Sequence, residues 1–321
     1  MPTKYFIAWW NLENLFDVEN SPTRTEKMHR TVGKELKGWT KSILDKKIAN
    51  LATIINKMND GKGPDLLGVC EVENKTVMDL LKDALHKNRK YKVIHHDTKD
   101  ERGIDVAFIY DSKMFTAGKT FSYELQKRTA TRDIFQVNFT TKSKHNEFVV
   151  IGNHWPSRLG GEASSEAYRI IAGETLAYFH ERIMEVKGDK IPIISMGDFN
   201  DEPFNKSITD HALSIHIKEK VLRAQTPRMY NLMFEMLGQR IGSFYFDGLP
   251  MIIDQFLISK GFIQAESKLK IDLSSTRIEM MTGMMNSKNN SPVKFSRPAE
   301  KEFNDKGFSD HYPVSLIMEE E

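Results

Sequence analysis

Residues 191–198, IPIISMGD, predict a strand, because they form a mainly apolar run with three β-branched isoleucines that ends in an acid. The same pattern recurs in YFIAWWN at 5–11, DLLGVCE at 65–71, FVVIGNH at 148–154 and MIIDQFLIS at 251–259. Runs that are apolar throughout are typical of strands covered on both faces. The sequence therefore predicts core strands whose ends carry polar side chains.

Three segments outside these runs have apolar residues at helical spacing. They lie at 42–57, 75–86 and 164–185, and in the first of them Ile48, Leu51 and Ile55 mark one face. A further stretch, 104–139, has mostly strand character and resembles a hairpin. Strands that alternate with helices predict an α/β chain with mixed sheets covered by helices.

The sequence shows no internal repeat, no low-complexity segment and no linker rich in Pro, Gly or Ser. We therefore expect a single domain over residues 1–321. Two segments, 205–248 and 267–307, fit the alternating pattern poorly and are expected to be insertions over the rim of the fold. Long irregular segments of this kind usually act as lids or mobile loops.

The composition is typical of a globular protein with little net charge. The 46 Lys and Arg residues against 44 Asp and Glu leave +2, so no overall field indicates a polyanionic partner. Cys70 is the sole cysteine, which excludes an internal disulfide and a cysteine-rich zinc site, and its apolar neighbours favour a buried thiol.

The amino-terminal apolar stretch is too short for a signal peptide, and no run of about 18 apolar residues follows it. As written, the chain is expected in the cytoplasm without a transmembrane segment. If a signal peptide preceded this sequence, the protein would instead be secreted or periplasmic.

Polar side chains collect at the ends of the predicted strands. They are Asn11, Glu13, Glu71, His154, Asp198, Asn200, Asp254, Asp310 and His311. Strand ends hold side chains rigidly at the open edge of a sheet, so the ordered set predicts one assembled site. Taken singly, an acid or Asn after a strand is more often a turn residue or a helix N-cap.

The oxygen-rich composition of this set suits a hard divalent cation. Asn11, Glu71 and Asp310 offer the amide and carboxylate oxygens that Mg²⁺ or Mn²⁺ prefers, whereas zinc would favour several His or Cys at close spacing. His154 and His311 then remain to contact a substrate.

The motifs that hold these residues make the sequence resemble the endonuclease/exonuclease/phosphatase superfamily of metal-dependent phosphohydrolases, which includes deoxyribonuclease I-like and exonuclease III-like enzymes. The resemblance spans nearly the whole chain. It rests on WNLEN at 10–14, GVCEVEN at 68–74, GNHWPSR at 152–158, GDFND at 197–201, IDQFLIS at 253–259 and SDHYPV at 309–314. GDFN and SDHYPV are the most specific, and WNLEN and NHWPSR are most similar to a branch of bacterial nucleases.

The resemblance implies a four-layer sandwich of two mixed β-sheets flanked by helices, with the site at one end of the sandwich. It implies that Asn11, Glu71 and Asp310 surround a divalent ion, Mg²⁺ or alternatively Mn²⁺, with Glu13 as an additional candidate ligand. Glu71 is the surest of these ligands.

The remaining residues would act on the substrate. By the resemblance, Asp198 orients or deprotonates the attacking water, while Asn200 and His154 hold non-bridging phosphate oxygens. His311 stabilises charge in the transition state, and we expect Asp254 to hydrogen-bond it, because a carboxylate raises the pKa of an imidazole. His154 stands where exonuclease III-like relatives have a tyrosine, which argues against an abasic-site repair activity.

Other residues near these motifs have weaker signals. Arg158 follows NHWPS and is a candidate for bidentate phosphate binding, although a solvated arginine fits equally well. His95 and His96 resemble a metal pair, but neighbouring residues on a strand point to opposite faces. Asp105 is either a rim acid or a turn partner of Arg102, and the structural role is favoured.

The segment 267–307 is rich in basic residues and methionine. Its methionines at 280, 281, 284 and 285 are expected in the core rather than in a substrate groove. Its basic residues, among them Lys288, Lys294 and Arg297, fit a solvated face and a phosphate-tracking rim equally well.

The resulting hypothesis is an enzyme, a Mg²⁺-dependent phosphodiesterase that acts as a nuclease on DNA or RNA by water attack. The nearest alternative keeps the chemistry but acts on inositol phosphates or phospholipids. A non-catalytic binding module is the alternative of a different class, and the complete set of site residues argues against it. A nucleic acid substrate is the expected partner, and the sequence indicates no protein partner.

Overall fold

The computed structural model describes residues 2–126 and 130–321. Within them the strands, in chain order, are β1 Thr3–Leu15, β2 Leu66–Val72, β3 Tyr91–His95, β4 Asp105–Asp111, β5 Phe115–Tyr123, β6 Ile134–Thr141, β7 Glu147–His154, β8 Ile193–Asp198, β9 Ser214–Ile215, β10 Met229–Asn231, β11 Phe244–Phe246, β12 Leu249–Met251, β13 Asp254–Ser259, β14 Leu269–Ile278 and β15 Val314–Glu320.

These strands form two large mixed sheets and one small ribbon. The first sheet has the order β14–β15–β1–β2–β4–β3, the second has the order β5–β6–β7–β8–β13–β10–β9, and β11 pairs with β12. Two central pairs, β1 with β2 and β7 with β8, are parallel, while β15 and β13 run antiparallel to their neighbours. Parallel neighbours bring their carboxyl ends to the same edge of a sheet.

The helices in the described residues are α1 Glu26–Val32, α2 Lys41–Gly61, α3 Lys75–Ala84, α4 Glu162–Lys187 and α5 Lys218–Arg223. The longest, α4, packs Ala172 and Leu176 against Ile151 and Ile193 of the second sheet. Helices α2 and α3 pack against β1 and β3 of the first sheet, within the main hydrophobic cluster that also fills the space between the two sheets. The layer order is therefore helix, sheet, sheet, helix, which confirms the predicted four-layer sandwich. No helix among the described residues is both long and apolar enough to cross a bilayer.

Two glycines let the sheets approach closely. A Cβ on Gly68 of β2 would lie 2.7 Å from the Trp9 ring and 2.9 Å from the Met196 side chain of the opposite sheet. A Cβ on Gly152 of β7 would lie 2.6 Å from the side chain of Val106 on β4, in the opposite sheet. Since real carbon atoms do not pack so closely, any side chain at these positions would push the sheets apart.

The five predicted core strands are confirmed as β1, β2, β7, β8 and β13, and the three predicted helices as α2, α3 and α4. The hairpin prediction for 104–139 was partly wrong. The hairpin pair is β5 with β6, whereas β4 pairs with β2 and β3 in the other sheet. The chain therefore crosses between the sheets after Asp111, a step that strand propensity does not encode. Residues 127–129 of this stretch lie outside the described residues.

The two segments expected as rim insertions contain regular structure. Residues 205–248 hold a single π-helical turn, Ser207–His211, together with α5 and the short strands β9 and β10 that extend the second sheet. Residues 267–307 begin with β14, an edge strand of the first sheet. In this second segment Met284 is fully buried, as expected for core, but Met285 is 45% exposed. Lys294 and Arg297 pair with Glu300 and Glu35.

Candidate active site

The first sheet carries site residues on the paired ends of β1 and β2, where Asn11 lies opposite Cys70. Beyond this point both strands leave the regular ladder, and Glu13, Asn14 and Glu71 adopt φ values of 50°, 55° and 60°. The backbone N–H of Asn14 donates to Glu71 Oε2 over 2.9 Å. Bulges of this kind re-aim side chains, and positive φ in residues other than glycine is concentrated at functional sites.

The second sheet places three site residues side by side. His154 on β7 lies opposite Asp198 on β8, and Asp254 on β13 lies opposite Asp198 from the other side. Because the strands are neighbours in the sheet, these three side chains share one edge. His311 reaches the same edge from the segment that precedes β15.

The Asp198 carboxylate is at the centre of the group. Its Oδ2 accepts from Asn11 Nδ2 over 3.1 Å, and its Oδ1 accepts from the backbone N–H of Asn200 over 2.9 Å. The Nε2 atoms of His154 and His311 lie 3.8 Å and 3.9 Å from Oδ2. The carboxylate thus bridges the two sheets and lies between two imidazoles.

Burial raises the pKa of Asp198 to about 7, and the charge of Asp254 adds to this effect. The charge of His311 and the hydrogen bonds from Asn200 and Asn11 act in the opposite direction. A carboxylate whose pKa lies near neutrality can exchange a proton with water close to physiological pH.

His311 and Asp254 form a buried pair. His311 Nδ1 lies 2.7 Å from Asp254 Oδ2, and the other Asp254 oxygen accepts from Trp9 Nε1 over 3.1 Å. Burial alone would lower the pKa of His311, but the charge of Asp254 and its hydrogen bond outweigh this effect and hold the pKa well above the usual histidine range. The imidazole therefore presents a protonated Nε2 toward Asp198.

His154 has the opposite electrostatic character. Burial lowers its pKa well below the usual range, and the positive charges of Arg132 and Arg102 add to the effect. Its Nδ1 is buried without a hydrogen-bond partner among the described residues, while Nε2 lies 3.6 Å from Glu71 Oε1. The ring is thus neutral and offers one N–H donor.

An acidic cluster lies beside these residues. Burial lowers the pKa of Lys47, and the charges of Glu13, Asp310 and Glu71 partly oppose this effect, so all three acids lie within electrostatic range of this one ammonium group. The ammonium donates to the Glu13 carbonyl over 2.6 Å. One lysine does not balance three carboxylates, so this cluster with the Asn11 amide oxygen fits a divalent cation.

At this site, two groups of three residues among those described have potential ligand atoms within 4.8 Å of one another. In the first, Cys70 joins His154 and Asp198, but burial raises the pKa of its thiol well above the usual range, so it remains protonated. In the second, Asp254 and His311 join Asp198, but those two residues already bind each other. By ligand type, the oxygen-rich cluster around Glu71 therefore suits Mg²⁺ better than either of these groups.

Arg158 lies next to the site but is engaged with the protein. Its guanidinium donates to the Asn200 carbonyl over 2.8 Å, to Asp201 over 2.9 Å and to Asn205 over 3.0 Å, and it pairs with Glu162. This geometry braces the turn after β8. The free, solvated arginine considered as an alternative is not what the structure shows.

Sequence reasoning missed three residues that support the site. Trp9 holds Asp254, Arg102 donates to Asn14 Oδ1 over 2.9 Å, and Lys47 lies within the acidic cluster. For Lys47 a signal was present, since it occupies the apolar face of α2 between Leu44 and Ile48. A charged residue on the buried face of an amphipathic helix indicates a buried partner.

One structural prediction was wrong in its partner. Asp105 does not pair with Arg102, because its Oδ1 accepts from the Thr98 amide over 3.1 Å and from the Thr98 hydroxyl over 2.6 Å. Through these contacts Asp105 holds the loop that precedes β4 in a local turn.

No curated protein matches the chain in sequence. Several solved structures share its fold over nearly the whole length. An endonuclease/exonuclease/phosphatase family protein from Bacteroides thetaiotaomicron has 16% identity and a TM-score of 0.59, covering 100% of this chain and 99% of that one. A mannosyl-6-phosphatase from Bacteroides thetaiotaomicron VPI-5482 has 16% identity and a TM-score of 0.57, covering 98% and 99%.

The catalytic domain of human Nocturnin with bound sulfate has 14% identity and a TM-score of 0.57, covering 99% of this chain and 96% of that domain. Identities this low show a common fold. The sequence profile of the Endonuclease/Exonuclease/phosphatase family matches residues 6–320. The chain therefore belongs to the endonuclease/exonuclease/phosphatase family, whose members are phosphoester hydrolases.

Proposed function

We propose that the protein is a Mg²⁺-dependent phosphodiesterase that hydrolyses nucleic acid by water attack. The observation that carries this proposal is the position of the Asp198 carboxylate, 3.8 Å and 3.9 Å from two imidazoles of opposite electrostatic character. Hydrolysis of a phosphodiester needs an activated water, charge neutralisation on the phosphoryl oxygens and stabilisation of the leaving oxygen. The site offers a candidate for each requirement.

Asp198 is the proposed general base. Its pKa of about 7 lets it accept a proton from water near neutral pH, and its hydrogen bonds from Asn11 and Asn200 fix the direction of the carboxylate. Asn11 lies within strand β1, and Asn200 lies in the turn after β8 that Arg158 holds through the Asn200 carbonyl. The water can therefore be oriented without a change in the backbone.

The two histidines are proposed to bind the phosphoryl group. His311, kept protonated by Asp254, supplies a positive charge for the oxygen that becomes negative in the transition state. His154 supplies a neutral N–H donor, and Asn200 has a second side-chain N–H beyond the one given to the Trp155 carbonyl.

Glu71, Asp310 and Asn11 are the proposed ligands of the divalent ion, with Glu13 beside them. When bound, Mg²⁺ would neutralise negative charge on the phosphoryl oxygens. The choice of Mg²⁺ rests on an all-oxygen set of ligands, and Mn²⁺, which accepts the same ligands, is the natural substitute.

The nuclease assignment rests on the motifs shared with bacterial nucleases, and one observation favours a second candidate. A mannosyl-6-phosphatase has the same fold over 98% of this chain. Phosphatase action on sugar or inositol phosphates is therefore the alternative, and phospholipids are a further substrate class for the same chemistry.

The test compares substrates under one set of conditions. Purified protein with Mg²⁺ or Mn²⁺ is assayed on plasmid DNA, RNA, phospholipid, inositol phosphate and mannose 6-phosphate. We expect cleavage of nucleic acid, loss of activity in EDTA, and loss of most activity in Glu71→Gln with an unchanged circular dichroism spectrum. Phosphate release from the small esters alone would favour the phosphatase, and turnover of none of these substrates would support a binding module.

A further inference from the structure

A further group of potential metal ligands lies outside the active site. His95 ends β3, the edge strand of the first sheet, Asp105 begins the neighbouring strand β4, and Asp97 lies in the loop between them. One ligand atom from each of these residues lies within 4.8 Å of the other two. We propose that His95, Asp97 and Asp105 form a second divalent-metal site, which takes a transition ion of the Zn²⁺ type.

The strongest indication is an unpartnered nitrogen. The His95 side chain is 2% exposed, and its Nε2 is buried without a hydrogen-bond partner among the described residues. This nitrogen lies 3.3 Å from Asp105 Oδ2 but is not aligned as a hydrogen bond. Two ligands about 2.1 Å from one ion lie roughly 3.0 to 3.4 Å apart, so the observed spacing fits two donors to a common ion.

The supporting contacts orient the ligands. Thr98 donates twice to Asp105 Oδ1, which leaves Oδ2 directed toward His95. Metal-binding carboxylates are usually held by such outer hydrogen bonds. Asp97 Oδ1 lies 3.7 Å from Nδ1, the other ring nitrogen of His95, and its side chain is 81% exposed, so it would complete the site by rotating toward the Nε2 side of the ring. A cleft of about 430 Å³, lined in part by Asp97, Thr98 and Asp105, gives access from solvent.

The donor set distinguishes this site from the acidic cluster. An imidazole with two carboxylates suits Zn²⁺ and its chemical neighbours, whereas Mg²⁺ prefers oxygen alone. His96, adjacent in sequence, has a different environment, since its ring stacks on Phe135 and its side chain is 47% exposed. The proposed site therefore uses one histidine of the pair with two acids from the following loop and strand.

An ion here would connect to the active site through the loop that it closes. Residues 96–104 join β3 to β4, and Arg102 in this loop donates to Asn14 Oδ1 over 2.9 Å. The backbone N–H of Asn14 in turn donates to Glu71 Oε2. Fixing the loop at Asp97 and Asp105 would thus hold Arg102 and, through Asn14, the carboxylate of Glu71.

The experiment measures binding of Zn²⁺ to full-length protein that carries Glu71→Gln, so that the acidic cluster contributes little. After EDTA treatment and dialysis, calorimetric titration should show one site per chain, and Co²⁺ should give a visible absorption band. Adding Asp97→Asn should weaken Zn²⁺ binding by at least about tenfold and abolish the increase in melting temperature that Zn²⁺ produces.

The matched control is His96→Asn in the same background, which should bind Zn²⁺ normally. His95→Asn should lose the site altogether, and Asp97→Asn serves where His95→Asn does not fold, because Asp97 is largely exposed. Equal Zn²⁺ affinity in the Glu71→Gln protein with and without Asp97→Asn would overturn the proposal. So would an equal loss in His96→Asn. Neither outcome depends on phosphoesterase activity.

Discussion

Asp254 and His311 are 57 residues apart in sequence and lie 2.7 Å apart in a fully buried pair that joins the second sheet to the segment before β15. The expected hydrogen bond between them is present. Trp9 of the first sheet holds the second carboxylate oxygen. A charged imidazole in such surroundings depends on its carboxylate, because burial by itself would favour the neutral ring.

Asp254→Asn should lower kcat more than it raises KM, because it removes positive charge that is needed mainly in the transition state. A function that needs protonated His311 is lost as pH rises through its pKa. Without Asp254 that pKa falls, so the alkaline limb of the kcat profile should move to lower pH. An alkaline limb at the same pH in the variant and the wild type would contradict the charge role of the pair.

Arg158→Lys tests whether this side chain braces the protein or binds phosphate. If the side chain is a brace, kcat should fall by roughly tenfold with little change in KM, because the guanidinium no longer holds the Asn200 carbonyl. A phosphate contact predicts a higher KM and a weaker dependence of binding on salt. Steady-state kinetics at two salt concentrations separates these results, with Arg182→Lys on α4 as the control.

The sequence was sufficient for the core strands and for the residues that end them. Apolar runs such as 191–198 specify buried strands, and a strand end fixes the position of its last side chain, so Asp198 and His154 could be located before the structure was known. The pairing that sets them side by side was not readable, since the period of a strand does not name its neighbour.

Features set by long-range packing were also missed. The strands β9 and β10 have two and three residues, too few to produce an alternating pattern, and they form only because β13 offers an edge. The positive φ of Glu71 arises where the ladder between β2 and its neighbours breaks, which no residue preference signals. Tertiary context overrides local propensity at both places.

His180 should make stability depend on pH at a site remote from catalysis. Burial in α4 lowers its pKa to about 4, with a smaller contribution from Lys260, and its Nε2 has no hydrogen-bond partner among the described residues. Because the unfolded histidine titrates near 6.5, the unfolded chain binds more protons between about pH 4 and pH 6.5. This part of the folding free energy is therefore complete above pH 6.5 and is lost as pH falls.

The measurement is urea unfolding of the wild type and His180→Gln at about pH 7.5 and pH 5. Between these pH values the wild type should lose about 2 kcal/mol relative to the variant, which has no imidazole to protonate. Other titrating groups affect both proteins equally and cancel in the difference. A difference that does not change with pH would show that His180 is protonated without cost.

Lys47 provides the last prediction, because its ammonium is fully buried and lies within electrostatic range of Glu13, Glu71 and Asp310. Removing the ammonium group leaves these acids less well compensated, at a cost of about 1–3 kcal/mol, because the Glu71 and Asp310 side chains keep partial contact with water. Lys47→Met keeps the volume and removes the charge. In EDTA the variant should unfold at lower urea concentration than the wild type. Lys46→Met, on the exposed side of the same helix, should change stability by less than about 1 kcal/mol.

Adding Mg²⁺ distinguishes loss of charge from loss of packing. A divalent ion held by Glu71 and Asp310 would neutralise the same carboxylates that Lys47 faces, so it should stabilise Lys47→Met more than the wild type. The gap in free energy of unfolding between the two proteins should therefore narrow. Urea unfolding at increasing Mg²⁺ concentration measures this difference directly. If the gap stayed constant, the lysine and the metal site would be independent. If it widened, Lys47 would itself be needed to shape the ligands of the ion.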